Sequence, residues 1–397
     1  MRWIDHWCLA GVLLLAGCGD KEQPGGGDAG GGGDAGNGAA AAGGRAWRTV
    51  AWPMARGGPA LQGRVGDPVP PAPRVEWTFG MKGGIVAQAA LDGDLAVVGD
   101  EEGVVQALDL AARRPRWTFT AKGAIGAAPA IASGRVFVGT EEGTFHALDL
   151  RSGAELWHLE ADNKFATGAV VVASPGGDDE WVLVNNYEGV TRCLRSADGS
   201  VVWTYQTGDF LNGSPAVIDG RLVAFGGCDA VVHAVRLADG ARAGGLETEA
   251  PIIDSVATMG GTIYCCNHAD QVIAAAAGAD RPEWVYQADG NAFLTAPGVD
   301  DERVYAGARD GQLHAIGRRS GAGAWRFKAG GGVTGAPLVF DDAVVCGAAD
   351  GRLYAVGKAD GRELWRLELG EELAAAPAFA GGRIVVGGGE GTLFVVR

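Results

Sequence analysis

Four sets of side chains in this sequence are of types that can do chemistry. His146, His233 and His314 are imidazoles able to ligate a metal or move a proton. Cys265 and Cys266 are adjacent thiols, the arrangement from which redox chemistry starts. Carboxylates recur at Asp100-Glu101-Glu102, Glu141-Glu142, Glu188, Asp229, Asp270, Asp310, Asp350 and Glu390, and a crown of them would attract cations or a basic partner. Apolar residues recur at Ile85, Ile125, Phe165, Leu211, Phe293, Val333 and Leu373, with Phe210 and Leu294 beside two of them, and could dock a partner. No serine–histidine–acid order, phosphate loop or zinc-ligand spacing accompanies these sets.

What positions them is a repeat. Trp77, Trp117, Trp157, Trp203, Trp284, Trp325 and Trp365 mark it, and Gly244 fills the slot between Trp203 and Trp284, giving spacings of 40, 40, 46, 41, 40, 41 and 40 residues. Ten residues before the internal markers stand Ala107, Ala147, Cys193, Ala234, Ala274, Ala315 and Ala355. A small side chain at fixed distance from a large ring implies that the indole lies over that position in a neighbouring strand or blade. Between markers, runs of β-branched and aromatic residues alternate with Gly-containing turns, the pattern of a β-meander. The repeats predict an all-β, eight-bladed β-propeller over residues 75–397. The last copy ends one strand short at Leu393-Phe394-Val395-Val396-Arg397, and Val75-Glu76-Trp77-Thr78-Phe79 supplies a spare strand near the start. Pairing the two closes the ring and removes an open edge.

The ring constrains the chemistry. The three histidines share one slot in alternate blades and cannot converge on one ion unless that slot faces the axis. The carboxylates occupy the turn between second and third strands, where Asp-Gly and Glu-Gly suit a tight hairpin, and adjacent blades hold them too far apart to share a metal. Cys265 and Cys266 lie in a strand, so their side chains point to opposite faces and a disulfide between them would need strong distortion. The apolar slot falls where one blade's outer strand passes to the next blade's inner strand. Its recurrence argues for packing at the channel mouth. Its enlarged members lead to the expectation that Phe165, Phe210, Leu211 and Phe293 form an exposed partner patch.

Composition sets the surroundings. With Gly 68 and 47% hydrophobic residues the chain suits a turn-rich β protein. A formal charge of −15 repels phosphate backbones, which excludes nucleic acid as a partner. Residues 1–17 combine Arg2 with an apolar run from Leu9 to Leu15, too short to span a bilayer, and read as a signal peptide. Residues 18–45 are almost all Gly, Ala and Asp and can form no core. About 26 such residues reach roughly 25–30 Å as a flexible tether. Residues 46–74 hold Trp52-Pro53 and Pro68, Pro70, Pro71 and Pro73, predicting an extended lead-in over the propeller surface. The strand cysteines read as buried free thiols.

Two resemblances follow. Leu15-Ala16-Gly17-Cys18 resembles a bacterial lipobox, implying lipidation at Cys18 and, with Gly19 next, residence in the outer membrane. Ala147-Leu148-Asp149 with Gly153 and Trp157, and Ala355 with Asp360-Gly361 and Trp365, resemble the tryptophan-docking repeat of PQQ-like quinoprotein propellers. Within that group the lipobox and single propeller are most similar to the lipoprotein of the β-barrel assembly machinery. That resemblance implies a monomeric, non-catalytic, periplasm-facing scaffold docked on the β-barrel assembly insertase, with no cofactor. No stretch here matches the partner-binding loop of that lipoprotein. Quinone-dependent relatives carry calcium-ligating carboxylates, a catalytic Asp and a cysteine pair against the cofactor, and Cys265-Cys266 is the one echo of them. A PQQ- and calcium-dependent enzyme, and a surface propeller that binds glycan or peptide, are the alternative readings.

Overall fold

The computed structural model describes residues 48–397 apart from 291, 292 and 294. The signal peptide, Cys18 and the tether lie outside the described residues, as do Asn291 and Leu294. Blade 2 shows how a repeat folds. Its strands are Ala130–Ala132, Arg135–Gly139, Thr144–Asp149 and Glu155–Glu160, paired antiparallel in sequence order. Gly134, Gly143 and Gly153 sit in the three hairpins with φ of 75°, 84° and 72°, a region that favours glycine. The two middle strands are buried between neighbouring blades, and the outermost alternates exposed and half-buried residues.

Eight such blades, beginning at Ala90, Ala130, Val170, Ala216, Ala257, Gly298, Leu338 and Ala378, form the ring. It closes as the sequence predicts. Val75–Gly80 pairs with Thr392–Val396, Trp77 opposite Val395, and completes blade 8. Among the described residues, no helix is long and apolar enough to cross a membrane.

The marker tryptophans lie on the outermost strands, each directly opposite its small residue: Ala107 faces Trp117, Ala147 faces Trp157, Cys193 faces Trp203, and so on to Ala355 and Trp365. Each ring then reaches into the next blade. The indole Nε1 of Trp117, Trp157, Trp203, Trp284 and Trp325 donates to the carbonyl of Leu150, Ser196, Leu237, Arg318 and Lys358 at 2.8, 3.1, 2.8, 2.9 and 2.8 Å. The ring faces lie on the left-handed glycines of those turns; a Cβ on Gly153 would come within 2.6 Å of the Trp117 ring. Trp365 donates to Pro70 instead, because the fourth strand of blade 8, Val75–Gly80, is entered from the lead-in and not through a hairpin.

The lead-in corrects an expectation. Residues 49–65 do not run over the surface but pass through the ring along the inner strands. Trp52 pairs with Leu91 of blade 1, and the carbonyls of Thr49, Pro53, Pro59, Ala60, Gln62 and Gly63 accept from the amides of Gly381, Ile131, Val217, Thr258, Val299 and Val339. The physical reason is the free edge of each innermost strand: its N–H groups need acceptors, and a Pro/Gly-rich segment still offers every carbonyl. Trp52, Leu61 and Val65 are buried at 1%, 0% and 0% exposure.

Candidate functional site

Two features could carry function: the central channel and the face onto which it opens. The connectors between blades and the turns between second and third strands meet on this upper face, hydrogen bonded as Glu101 to Gly84, Glu141 to Ala124, Tyr187 to Lys164 and Cys228 to Phe210.

The channel opens as a cavity of about 160 Å³ whose floor is Ala55 and Arg56 of the lead-in. Its wall mixes alanines, among them Ala87, Ala128, Ala166, Ala296, Ala336 and Ala374, with the polar side chains Gln88, Thr167, Asn212, Ser214, Asp254, Ser255 and Thr334. Arg56 is buried and left-handed, with φ of 56°. Its guanidinium donates to the carbonyls of Pro337 (2.9 Å) and Pro297 (3.1 Å), and its amide to Gln88 Oε1 (2.8 Å). Gln88 in turn donates to Pro377 at 2.5 Å. Burial lowers the Arg56 pKa to about 10, opposed by the Asp254 carboxylate, so the group stays charged at neutral pH. Arg56 thus pins the lead-in to blades 6 and 7 and seals the channel.

A calcium-bound quinone does not fit these residues. A polycarboxylate quinone needs several cationic donors beside it, and the channel offers one guanidinium already bonded to two carbonyls. No cluster of three or more metal-ligating side chains occurs among the described residues. The cavity is also below the roughly 300 Å³ at which small-molecule pockets begin. Cys265 and Cys266 are free, buried thiols on opposite faces of their strand, one in the core shared with blade 4 and the other in that shared with blade 6. They cannot press together on a ligand. Burial pushes Cys265 up to about 12 and Cys266 well above the ordinary thiol range. Cys193 and Cys346 are likewise free and buried.

The histidines do not converge: each is held by a separate partner, His146 and His233 within their own blades and His314 across joint 5–6. His146 Nδ1 lies 2.7 Å from Glu155, His233 Nε2 2.8 Å from Asp229, and His314 Nδ1 3.1 Å from the Tyr286 hydroxyl. Burial, reinforced by Arg326, lowers the His314 pKa from 6.5 to about 4. The unfolded chain therefore binds this proton first as pH falls. The stability tied to a neutral His314 is complete above about pH 6.5 and is lost toward pH 4, about 3 kcal/mol in all. We expect His314→Gln to flatten the acid limb of stability against pH, measured by denaturant unfolding at pH 7 and pH 4.5. A wild-type-minus-variant difference that does not change over this range contradicts the assignment.

The acidic turns divide. Asp100 is buried and accepts from the amides of Lys82, Gly83, Glu102 and Val104, a hairpin role. Glu188 is held by Arg192, and Asp350 by Tyr354 and Arg352. Glu101, Glu102, Glu141, Glu142, Glu372 and Glu390 remain exposed on blades 8, 1 and 2, whereas His268 and Arg309 are exposed on blades 5 and 6.

The four-residue patch is corrected. Phe165, Leu211 and Phe293 are 0%, 0% and 1% exposed: Phe165 packs over Gly139, the glycine ending its second strand, as Val333 does over Gly307 and Leu373 over Gly347, and Phe293 lies edge-on to His314 at 5.2 Å. Phe210 alone projects, at 39% exposure. It stacks on Tyr187 (5.7 Å, 20° between planes), and Lys164 Nζ sits 4.4 Å over the other ring. Lys164 also lies 3.9 Å from Glu141, and burial raises the Tyr187 pKa, with Glu141 adding to it. Sequence reasoning missed Tyr187 and Lys164. The aromatic beside Glu188, at the turn position where other blades carry Glu101 or Glu141, was the available signal.

Comparisons with known proteins place this geometry. Solved structures that match include BamB from Moraxella catarrhalis, with 20% identity, covering 82% of this chain and 98% of that one at a TM-score of 0.69. The quinohemoprotein alcohol dehydrogenase of Comamonas testosteroni matches with 14% identity, 88% and 81% coverage and a TM-score of 0.70. A europium-containing methanol dehydrogenase matches with 12% identity, 88% and 98% coverage and a TM-score of 0.72. At these identities the likeness is one of fold. No curated protein matches in sequence. The profile of the family described as outer membrane protein assembly factor BamB matches residues 36–173, 143–229 and 228–397. The chain is therefore a PQQ-like propeller and belongs to the BamB family.

Proposed function

We propose that this protein is a non-catalytic docking scaffold for outer-membrane protein assembly, anchored through a lipidated Cys18, facing the periplasm, with the β-barrel assembly insertase as its partner. The sealed channel carries the reading. The chain's own lead-in runs through the ring, and Ala55 and Arg56 narrow the axis to a cavity of about 160 Å³, below the roughly 300 Å³ at which small-molecule pockets begin. What remains available is the upper face, with Phe210, Tyr187 and Lys164 standing beside an acidic arc. An exposed aromatic held by a stacked neighbour contributes contact area at low entropic cost, as interface anchors do.

The test is crosslinking in native membranes with the lipobox intact, followed by identification of what co-purifies. Recovery of the insertase is the expected result; its absence from a full-length, membrane-bound preparation overturns the reading. Phe210→Asp should leave the fold intact, since the side chain is exposed, and weaken soluble-propeller binding to the insertase by at least about tenfold. Unchanged affinity would remove Phe210 from the interface.

A further inference from the structure

We infer that the joint between blades 4 and 5 opens locally, hinging at the channel and parting at the rim. Joints 1–2, 2–3, 3–4, 5–6, 6–7 and 7–8 each carry an indole that donates a hydrogen bond across the joint. Joint 8–1 has Trp77, and its flanks are tied by Arg113 and Glu76 at 3.2 Å. Joint 4–5 has Gly244 where the ring would be. An indole buries roughly 150–250 Å², and nothing of that size replaces it. Instead the turn of blade 5 closes in, so that a Cβ at Gly244 would collide with the Gly278 backbone. Behind this contact Val232, Leu246, Ile263, Cys265 and Ile273 line a small residual cavity.

The inner end of the joint is tied. The lead-in bonds Val217 of blade 4 through Pro59 and Thr258 of blade 5 through Ala60. Thr258 Oγ1 donates to Val217 at 3.2 Å, the Ser214 amide to Ser255 Oγ at 2.9 Å, and Asn212 to the Ile252 carbonyl at 3.1 Å. These hydrogen bonds tie the joint at the axis, whereas the rim is joined by the Gly244–Gly278 approach and the apolar side chains behind it, which places the hinge at the axis.

The chain contains its own reporter and controls. Cys265 and Cys346 occupy the same register in blades 5 and 7, opposite Ile273 and Tyr354, one residue after the position that faces the small slot. Cys265 faces joint 4–5 and Cys346 faces joint 6–7, which Trp325 closes. Cys266 faces joint 5–6, closed by Trp284. All three are free and buried. The experiment is native-state labelling of the full chain with N-ethylmaleimide, resolved by site with mass spectrometry. Cys265 should react at least about tenfold faster than Cys346 and Cys266, with a rate proportional to reagent concentration. Trp325→Gly should then bring Cys346 up toward the Cys265 rate; if that variant does not fold, the wild-type comparison stands alone. Equal rates at the three sites mean that only global unfolding exposes them, and overturn the inference. So does a Cys266 rate equal to that of Cys265, because it means that blade 5 as a whole comes loose.

Discussion

A chain beginning at residue 68 is expected to lose the cooperative thermal transition shown by a chain beginning at residue 46. The difference between them is the segment that runs through the ring. Removing it strips Trp52, Met54, Leu61 and Val65 from buried positions, each worth roughly 1.5–3 kcal/mol. It also leaves the amides of Ile131, Val217, Thr258, Val299 and Val339 without their acceptors. Folding normally sets the entropy of ordering such a segment against these gains, but Pro53 and Pro59 restrict the unfolded chain in advance. The loss is a large share of the 5–15 kcal/mol that a folded domain has. Differential scanning calorimetry of both chains decides it. Melting of the shorter chain within a few degrees of the longer one would show that the lead-in is dispensable.

The second large effect is expected at Trp203. Replacement by alanine removes a 7%-exposed ring, the 2.8 Å bond to Leu237 and the packing on Gly240, where a Cβ would come within 2.6 Å of the ring. The cost should be about 3–5 kcal/mol, as for other buried aromatic truncations, or a fall in Tm of roughly 5–10 °C. Gly240→Ala should act on the same joint, since φ there is +70°, so the double variant should fall short of the summed single effects. Full additivity would mean that ring and turn do not act as one unit. Denaturant unfolding of the four chains provides the cycle.

Much of this fold is legible in the sequence, for a physical reason. A tryptophan and the small residue ten places earlier are direct cross-strand partners, so their spacing is a register written into the chain. The site is less legible. Phe165 and Phe293 look like Phe210 in sequence because all stand in or beside one slot; only the three-dimensional path of each connector turns Phe165 onto Gly139, Phe293 onto His314 and Phe210 toward solvent. Tyr187 and Lys164 come from different connections, and no local pattern joins them to Phe210. The lead-in was misplaced because proline density reports what a segment cannot form and says nothing of which distant amides its carbonyls will reach. Gly244 is visible as a break in the repeat, but the inward collapse of Gly278 is a packing response.

Site-specific photocrosslinking from position 210 in cells tests the scaffold reading most directly. A photoreactive amino acid there should yield an adduct with the β-barrel assembly insertase, and the same probe at Leu156, exposed on the outer strand of blade 2, should not. An adduct from position 156 and none from position 210, with both variants folded and membrane-bound, would contradict the upper face as the docking surface. No insertase adduct from either position would contradict the assembly role.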